Sequence, residues 1–260
     1  MITINDQLGR SLSFHHPPKR IISLVPSLSE LIVDLCDEDI VIGCTKFCIH
    51  PKSLKPNSQI IGGTKTVDID LIKAIDPDLI IANKEENDRD QIETLSNSHS
   101  VYITDIQTID DAINTIRELG IIFDQNERAK QIISLTSKNL PSQIFKQKNV
   151  LYLIWRKPWM SIGADTYIHN VLTHLGLENI LNTHLRYPEL ISDEIKKLNP
   201  DIIFLSSEPF PFKEKHIHEL ELLCTKAKVH LVDGEAFSWY GSRLTHMDGY
   251  FTQLRRDLEV

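Results

Sequence analysis

The chain has 260 residues, of which 41% are hydrophobic and 25% charged, a balance that suits a globular protein with a buried core and argues against disorder. Lys plus Arg number 28 and Asp plus Glu 36, for a net charge of −8 with no basic run, which argues against nucleic acid as a partner. No segment approaches the ~18 consecutive apolar residues of a spanning helix, and four scattered cysteines (Cys36, Cys44, Cys48, Cys224) do not make a disulfide framework.

Ile2 to Phe14 alternates apolar and polar residues around Asp6-Gln7-Leu8-Gly9, the pattern of a short hairpin. Arg20 to Val25 is a continuous apolar run suited to a buried parallel strand. Ser27 with Glu30 three residues on predicts a capping box and a helix to about Cys36. Ile40 to Cys44 is a second strand. Alternation continues with a helix over Asp70–Ile75, a strand over Leu79–Ala82, a helix over Asp88–Ser96, a strand over Val101–Ile103 and a helix over Asp110–Leu119. Such alternation implies a parallel sheet covered by helices. Gln125 to Lys148 has apolar residues at helical spacing and reads as one long helix that Pro141 breaks or kinks near its end.

A strand pattern restarts at Val150–Ile154, and the restart is a repeat. Val67–Ile81 resembles Leu190–Phe204: a helix, an Asx-Pro-Asp turn and an apolar strand recur at an offset of 123 residues, from Pro77 to Pro200. The expected architecture is α/β: two parallel-sheet lobes, residues 1–123 and 149–260, joined by a backbone helix over 124–148 and holding ligand in the cleft between them.

No GxSxG elbow, phosphate loop or HExxH helix is present, so the reading is of a binder and not an enzyme, with no catalytic residues assigned. Cys44-x3-Cys48-x-His50 offers thiolate and imidazole, and Cys48 and His50 are weak metal candidates in a loop more often unliganded. The distinctive feature is aromatic clusters placed just after strands: Trp155 to Trp159, Phe210 to Phe212, and Phe237 to Arg243, with all 3 tryptophans among them. Ligand crevices of α/β sheets lie at the carboxyl ends of strands, where rings stack on flat ligands and Arg156 or Arg243 can pair carboxylates or phosphates. Alternatively, the same rings cap the lobe cores.

The run Asp6 to Arg10, the segment Arg20 to Ser27 with Glu30, Gly62-Gly63-Thr64-Lys65, Pro77 to Ala82 and Trp239-Tyr240 together resemble the class III solute-binding proteins, over essentially the whole chain. These are the helical-backbone metal receptors of ABC importers for cobalamin, ferric siderophores and haem. The resemblance implies a small-molecule metal-chelate or tetrapyrrole-like ligand (a corrinoid, a ferric siderophore or haem), no covalent cofactor, an ABC permease as partner, no membrane insertion and a monomer. It places Phe47, Trp159 and Tyr187 around the ligand with Trp239, Tyr240 and Arg243 in the last contact loop. Trp155 and Phe210 join them from the strand-end clusters. Thr64 and Asn83 stand where the family's cobalamin receptors carry tryptophans, so the pocket holds a corrinoid differently or takes a smaller or more polar ligand.

The family also docks on its permease through one glutamate per lobe. Asp70 and Asp193 occupy the corresponding positions, with Glu194 adjacent in the second lobe. No basic region followed by an apolar run opens the chain, so no secretory leader is visible. Two readings stay open: an exported receptor whose leader is not in this sequence, or a leaderless cytoplasmic relative acting as a metal-handling protein or enzyme through Cys48, His50, Glu208, Glu235 and Arg243.

Overall fold

The computed structural model describes residues 1–258, which divide into two compact units. The first takes residues 1–106, 110–136 and 240–243; the second takes 107–109, 137–239 and the chain from Leu244 on. Among the described residues no helix is long and apolar enough to cross a membrane.

In the first unit, β1 (Ile2–Asn5) and β2 (Ser11–Phe14) form the expected antiparallel hairpin. A separate sheet contains β3 (Ile21–Ser23), β4 (Val41–Cys44), β5 (Gln59–Ile60), β6 (Leu79–Asn83) and β7 (Val101–Thr104), all parallel, in the order β5-β4-β3-β6-β7. Every residue of β6 is buried, as expected for a strand covered on both faces. The covering helices are α1 (Pro26–Leu35), the short α2 (Leu54–Asn57), α3 (Ile69–Ile75), α4 (Arg89–Ser96) and α5 (Ile109–Ile122). Ile22, Leu24, Ile72, Ile80, Ile92 and Leu95 form the core beneath them.

The helix after α5 is shorter than its spacing predicts. Asp124 takes a left-handed φ of 56° and ends α5, and α6 covers only Asn126–Asn139. It stops two residues before Pro141, which cannot donate to a continuing helix and disfavours helical backbone at Leu140. The carbonyl oxygens of Leu244 and Thr245 accept from Asn139 Nδ2 at 3.0 and 3.1 Å.

The second unit is built on β8 (Lys148–Trp155), β9 (Trp159–Ser161), β10 (Leu177–Asn179), β11 (Glu189–Leu190), β12 (Ile202–Ser206) and β13 (Lys228–Val232). Strands β10, β8, β12 and β13 pair in parallel, whereas β9 and β11 return antiparallel on one side. Around this mixed sheet lie α7 (Tyr167–Leu175), α8 (Ser192–Leu198), α9 (Glu214–Leu223), α10 (Gly234–Ser238) and α11 (Tyr250–Asp257).

The repeat has a physical basis in its two turns. Asp76 after α3 and Asn199 after α8 both adopt the left-handed conformation, at φ of 53° and 47°. Short Asx side chains tolerate it better than most residues. A proline follows each, and then an aspartate that clasps the start of the neighbouring strand. Asp78 Oδ2 accepts from the backbone N–H of Lys19 (2.8 Å) and Arg20 (3.0 Å), just before β3. Asp201 Oδ2 accepts from the N–H of Asn149 at 3.0 Å, at the start of β8. Each aspartate also donates its own N–H to the same segment, to Arg20 O (2.8 Å) or Asn149 O (3.1 Å).

One local reading is corrected. Ser27 does not cap α1: Val25 is the N-cap without a side-chain bond, and Pro26 fills the first helical position, where its missing N–H is no loss. Glu30 is buried, and its carboxylate faces Arg243 instead of the helix start.

The clasp predicts that Asp78→Ala and Asp201→Ala each cost about 1 kcal/mol in urea unfolding, because each strands backbone donors at a strand start. The two losses should add, since the residues share no partner; unchanged midpoints in both variants would remove the clasp from the account of the repeat.

Candidate ligand-binding site

In the second unit the ends of β8 and β12 bring an aromatic group together. Trp155, the last residue of β8, is 39% exposed and meets the half-buried Phe210 edge-on at a centroid distance of 5.6 Å. Phe210 contacts Phe212 at 4.8 Å and His216 at 5.4 Å. Burial lowers the His216 pKa, which keeps a neutral ring among these neighbours. Arg156 lies over the Trp159 ring at 4.2 Å and pairs with Glu219, so its charge is already partnered.

Trp159 differs from the expectation that it lines a ligand. It begins the returning strand β9, is 3% exposed, and stacks on Phe212 at 6.2 Å within the core. Its Nε1 is buried without a hydrogen-bond partner. An unmade bond of this kind costs about 1–3 kcal/mol and leaves a donor for an acceptor atom that enters the group.

Trp239 is likewise consumed internally. Glu208 Oε1 accepts from Trp239 Nε1 at 2.9 Å and from Ser238 Oγ at 2.8 Å. Gly234 permits this approach: a Cβ there would lie 2.5 Å from Ser206 Oγ and 2.6 Å from Glu208 Cγ. Burial raises the Glu208 pKa; the nearby Glu235 and Asp233 add to the rise, and its two hydrogen bonds oppose it.

The remaining predicted residues of the last loop belong to the first unit. Arg243 is 8% exposed and forms a bidentate pair with Glu30, its Nε donating to Oε2 at 2.9 Å and its NH2 group to Oε1. Tyr240 donates its hydroxyl to Glu86, and burial, reinforced by that carboxylate, drives the phenol pKa well up. Gly241 between them has φ of 106° and packs its backbone against Leu31 and Ser27, where a side chain would be strained. Asn83 is buried: its Oδ1 accepts from the N–H of Glu85 (2.8 Å) and Glu86 (3.0 Å), shaping the turn that presents Glu86.

Of the expected ligand residues, Phe47 (50% exposed) and the half-buried Tyr187 keep accessible ring surface, as Trp155 and Phe210 do. Phe47 follows β4 in the first unit, and Arg186 lies 5.4 Å from the Tyr187 ring in the second. Asp70 and Asp193 are exposed in the first turns of α3 and α8; Glu194, also exposed, accepts from the Ile191 N–H at 2.8 Å. Among the described residues Cys44, Cys48 and His50 do not converge as a three-ligand metal group. The sequence reading placed Phe212 in its strand-end cluster but missed His216 as a ring partner and Glu30 and Glu86 as acceptors. No local signal marks the glutamates, whose partners lie 213 and 154 residues away.

Two outcomes follow. Arg243→Ala should cost roughly 3–5 kcal/mol in thermal or urea unfolding, because it leaves the Glu30 carboxylate buried and unpaired, and Glu30→Leu/Arg243→Met should recover most of it; a loss below about 1 kcal/mol would show the pair to be incidental. Because the folded state favours protonated Glu208, its contribution is present below the ordinary glutamate range and is lost as pH rises through the elevated pKa. Glu208→Gln should therefore match the wild type in acid and exceed its stability at higher pH, and it should abolish a pH step in Trp239 fluorescence whose midpoint lies above about 4.3. An identical fluorescence profile in the variant would place that titration elsewhere.

Comparison with known proteins agrees with this architecture. The chain is 25% identical over 215 residues to the uncharacterized ABC transporter substrate-binding lipoprotein YvrC of Bacillus subtilis (strain 168), covering 78% of this chain and 68% of that protein. It is 24% identical over 201 residues to the vitamin B12-binding protein of Pectobacterium carotovorum subsp. carotovorum (strain PC1), covering 74% and 72%. The solved siderophore-binding protein BauB, bound to a complex of two acinetobactin molecules and ferric iron, superposes with a TM-score of 0.79 at 18% identity, over 99% of this chain and 98% of that one. The periplasmic binding protein family profile matches residues 21–219, and the chain belongs to that family.

Proposed function

We propose that this chain is the solute-binding receptor of an ABC-type importer and that its ligand is a metal chelate or tetrapyrrole-like molecule: a corrinoid such as cobalamin, a ferric siderophore or haem. The observation that carries the reading is the Trp155–Phe210 pair, two large rings left accessible at the carboxyl ends of parallel strands. Contiguous accessible aromatic surface marks binding sites more often than isolated rings do, and flat conjugated ligands gain from stacking on it. Tyr187 in the same unit adds an accessible ring of the same kind.

The B12 and siderophore binders among the similar proteins support the ligand class without choosing within it. A binding role, as opposed to catalysis, is supported by the way the candidate acid–base groups are engaged: Glu208 with Ser238 and Trp239, and Arg243 with Glu30. The exposed Asp70 and Asp193 are the proposed permease-docking carboxylates, with Glu194 held back by its bond to the Ile191 N–H.

The reading is tested by titrating tryptophan fluorescence with cyanocobalamin, cobinamide, haem and a ferric siderophore, corrected for ligand absorbance. One of them should quench saturably, and Trp155→Ala with Phe210→Ala should weaken it at least ~10-fold, as loss of two stacking faces requires. Undiminished affinity in the double variant would remove this pair from the site.

A further inference from the structure

Cys44 and Cys48 lie in the first unit, apart from the aromatic group just described. Cys44 ends β4, and the next residues turn back so that the Cys48 N–H reaches Thr45 O at 3.1 Å. Both side chains are fully buried and both are free thiols, separated by a tight turn of three residues, and each shifts the other's ionisation. Cys48 Sγ has two further polar neighbours, Ser29 Oγ on α1 at 3.1 Å and Thr45 Oγ1 at 3.4 Å. Lys46 and Phe47, between them in the chain, are exposed.

We propose that Cys44 and Cys48 form a reversible redox pair, with Cys48 the nucleophile that a peroxide oxidises and Cys44 the resolving thiol that closes a disulfide between them. The inference is independent of the ligand reading.

The surroundings distinguish the two sulfurs. As a thiolate, Cys48 accepts from the Thr45 hydroxyl, and Ser29 can turn its proton from Val25 O (2.9 Å) toward it. The neighbouring Cys44 thiol and these hydroxyls lower the Cys48 pKa against the opposing effect of burial. Cys48 in turn raises that of Cys44, which stays protonated until it reacts. The other two cysteines are unsuited to the chemistry: burial, then the Asp37 charge, pushes Cys36 up to about 12, and burial raises Cys224. The thiolate is the reactive form, so selectivity for Cys48 follows.

The oxidant is a hydroperoxide, small enough to pass a single turn. The Cys48 thiolate attacks one peroxide oxygen and breaks the O–O bond. This yields Cys48 sulfenic acid, and the released hydroxide takes a proton to become water. The Cys44 sulfur then attacks Cys48 Sγ and displaces a second hydroxide, which leaves as water with the Cys44 proton. Two thiols are oxidised and one hydrogen peroxide is reduced to two waters. With three residues between the cysteines, the product closes a short loop around Thr45-Lys46-Phe47.

The test treats the reduced full chain with equimolar hydrogen peroxide at pH 7, then denatures it, alkylates it with N-ethylmaleimide and measures intact mass and peptide map. The expected product is lighter by two hydrogens before alkylation, takes up two adducts (on Cys36 and Cys224) in place of four, carries a cross-linked 44–48 peptide, and reverts with dithiothreitol. Cys44→Ser should accumulate a dimedone-reactive sulfenic acid at Cys48, and Cys48→Ser should slow peroxide consumption at least ~10-fold. Four adducts after complete exposure, Cys48 oxidised beyond sulfenic acid without a cross-link, or a disulfide through Cys36 or Cys224 would overturn the proposal. The wild-type peptide map decides the matter even if a variant fails to fold.

Discussion

The Glu30–Arg243 pair is the constraint on which the late part of the chain depends. Two charges this deeply buried are tolerated only as a hydrogen-bonded pair, so Arg243 has to reach α1 from 213 residues away. Residues 240–243 therefore belong to the first unit, although Trp239 before them and Leu244 after them belong to the second. The positive φ of Gly241 and the Tyr240–Glu86 bond are local consequences of that placement. A buried ion pair is poor at adding stability relative to apolar packing. What it adds here is positional: apolar side chains of similar size would not fix which residues meet.

Trp239 shows the same economy one residue earlier. Its indole is tied to Glu208, a carboxyl kept toward its neutral form by burial, and Gly234 supplies the space for that contact. The closing loop thus reads as a contact loop by composition, while its polar atoms are satisfied within the protein. Accessible ring surface sits elsewhere, on Trp155, Phe210, Phe47 and Tyr187.

Most of the architecture was readable because it rests on local, repeated chemistry. The Asx-Pro-Asp turns at Asp76 and Asn199 need a left-handed residue, a proline and a clasping aspartate, and each requirement leaves a letter in the sequence. Buried strands such as Leu79–Asn83 and Ile202–Ser206 announce themselves as apolar runs. The failures are of another kind. Ser27 and Glu30 have the spacing of a capping box, but Glu30 answers to a distant arginine that no local pattern reveals. Trp159 follows a strand, yet it starts an antiparallel return and turns into the core, since the same residues suit a contact loop or a second strand equally well. The segment up to Lys148 has no strand-like run and reads as one helix that Pro141 breaks or kinks, but α6 already ends at Asn139. Among the candidate site residues, residue type was legible and exposure was not, because exposure is a property of the whole fold.

The measurement closest to the central claim is isothermal titration calorimetry of the unmodified protein against cyanocobalamin, haem and a ferric siderophore at several temperatures. A receptor that covers exposed aromatic rings with such a ligand predicts one-to-one binding of one of the three, micromolar or tighter, with a negative heat-capacity change. Absence of heat and of saturable binding for all three would contradict it.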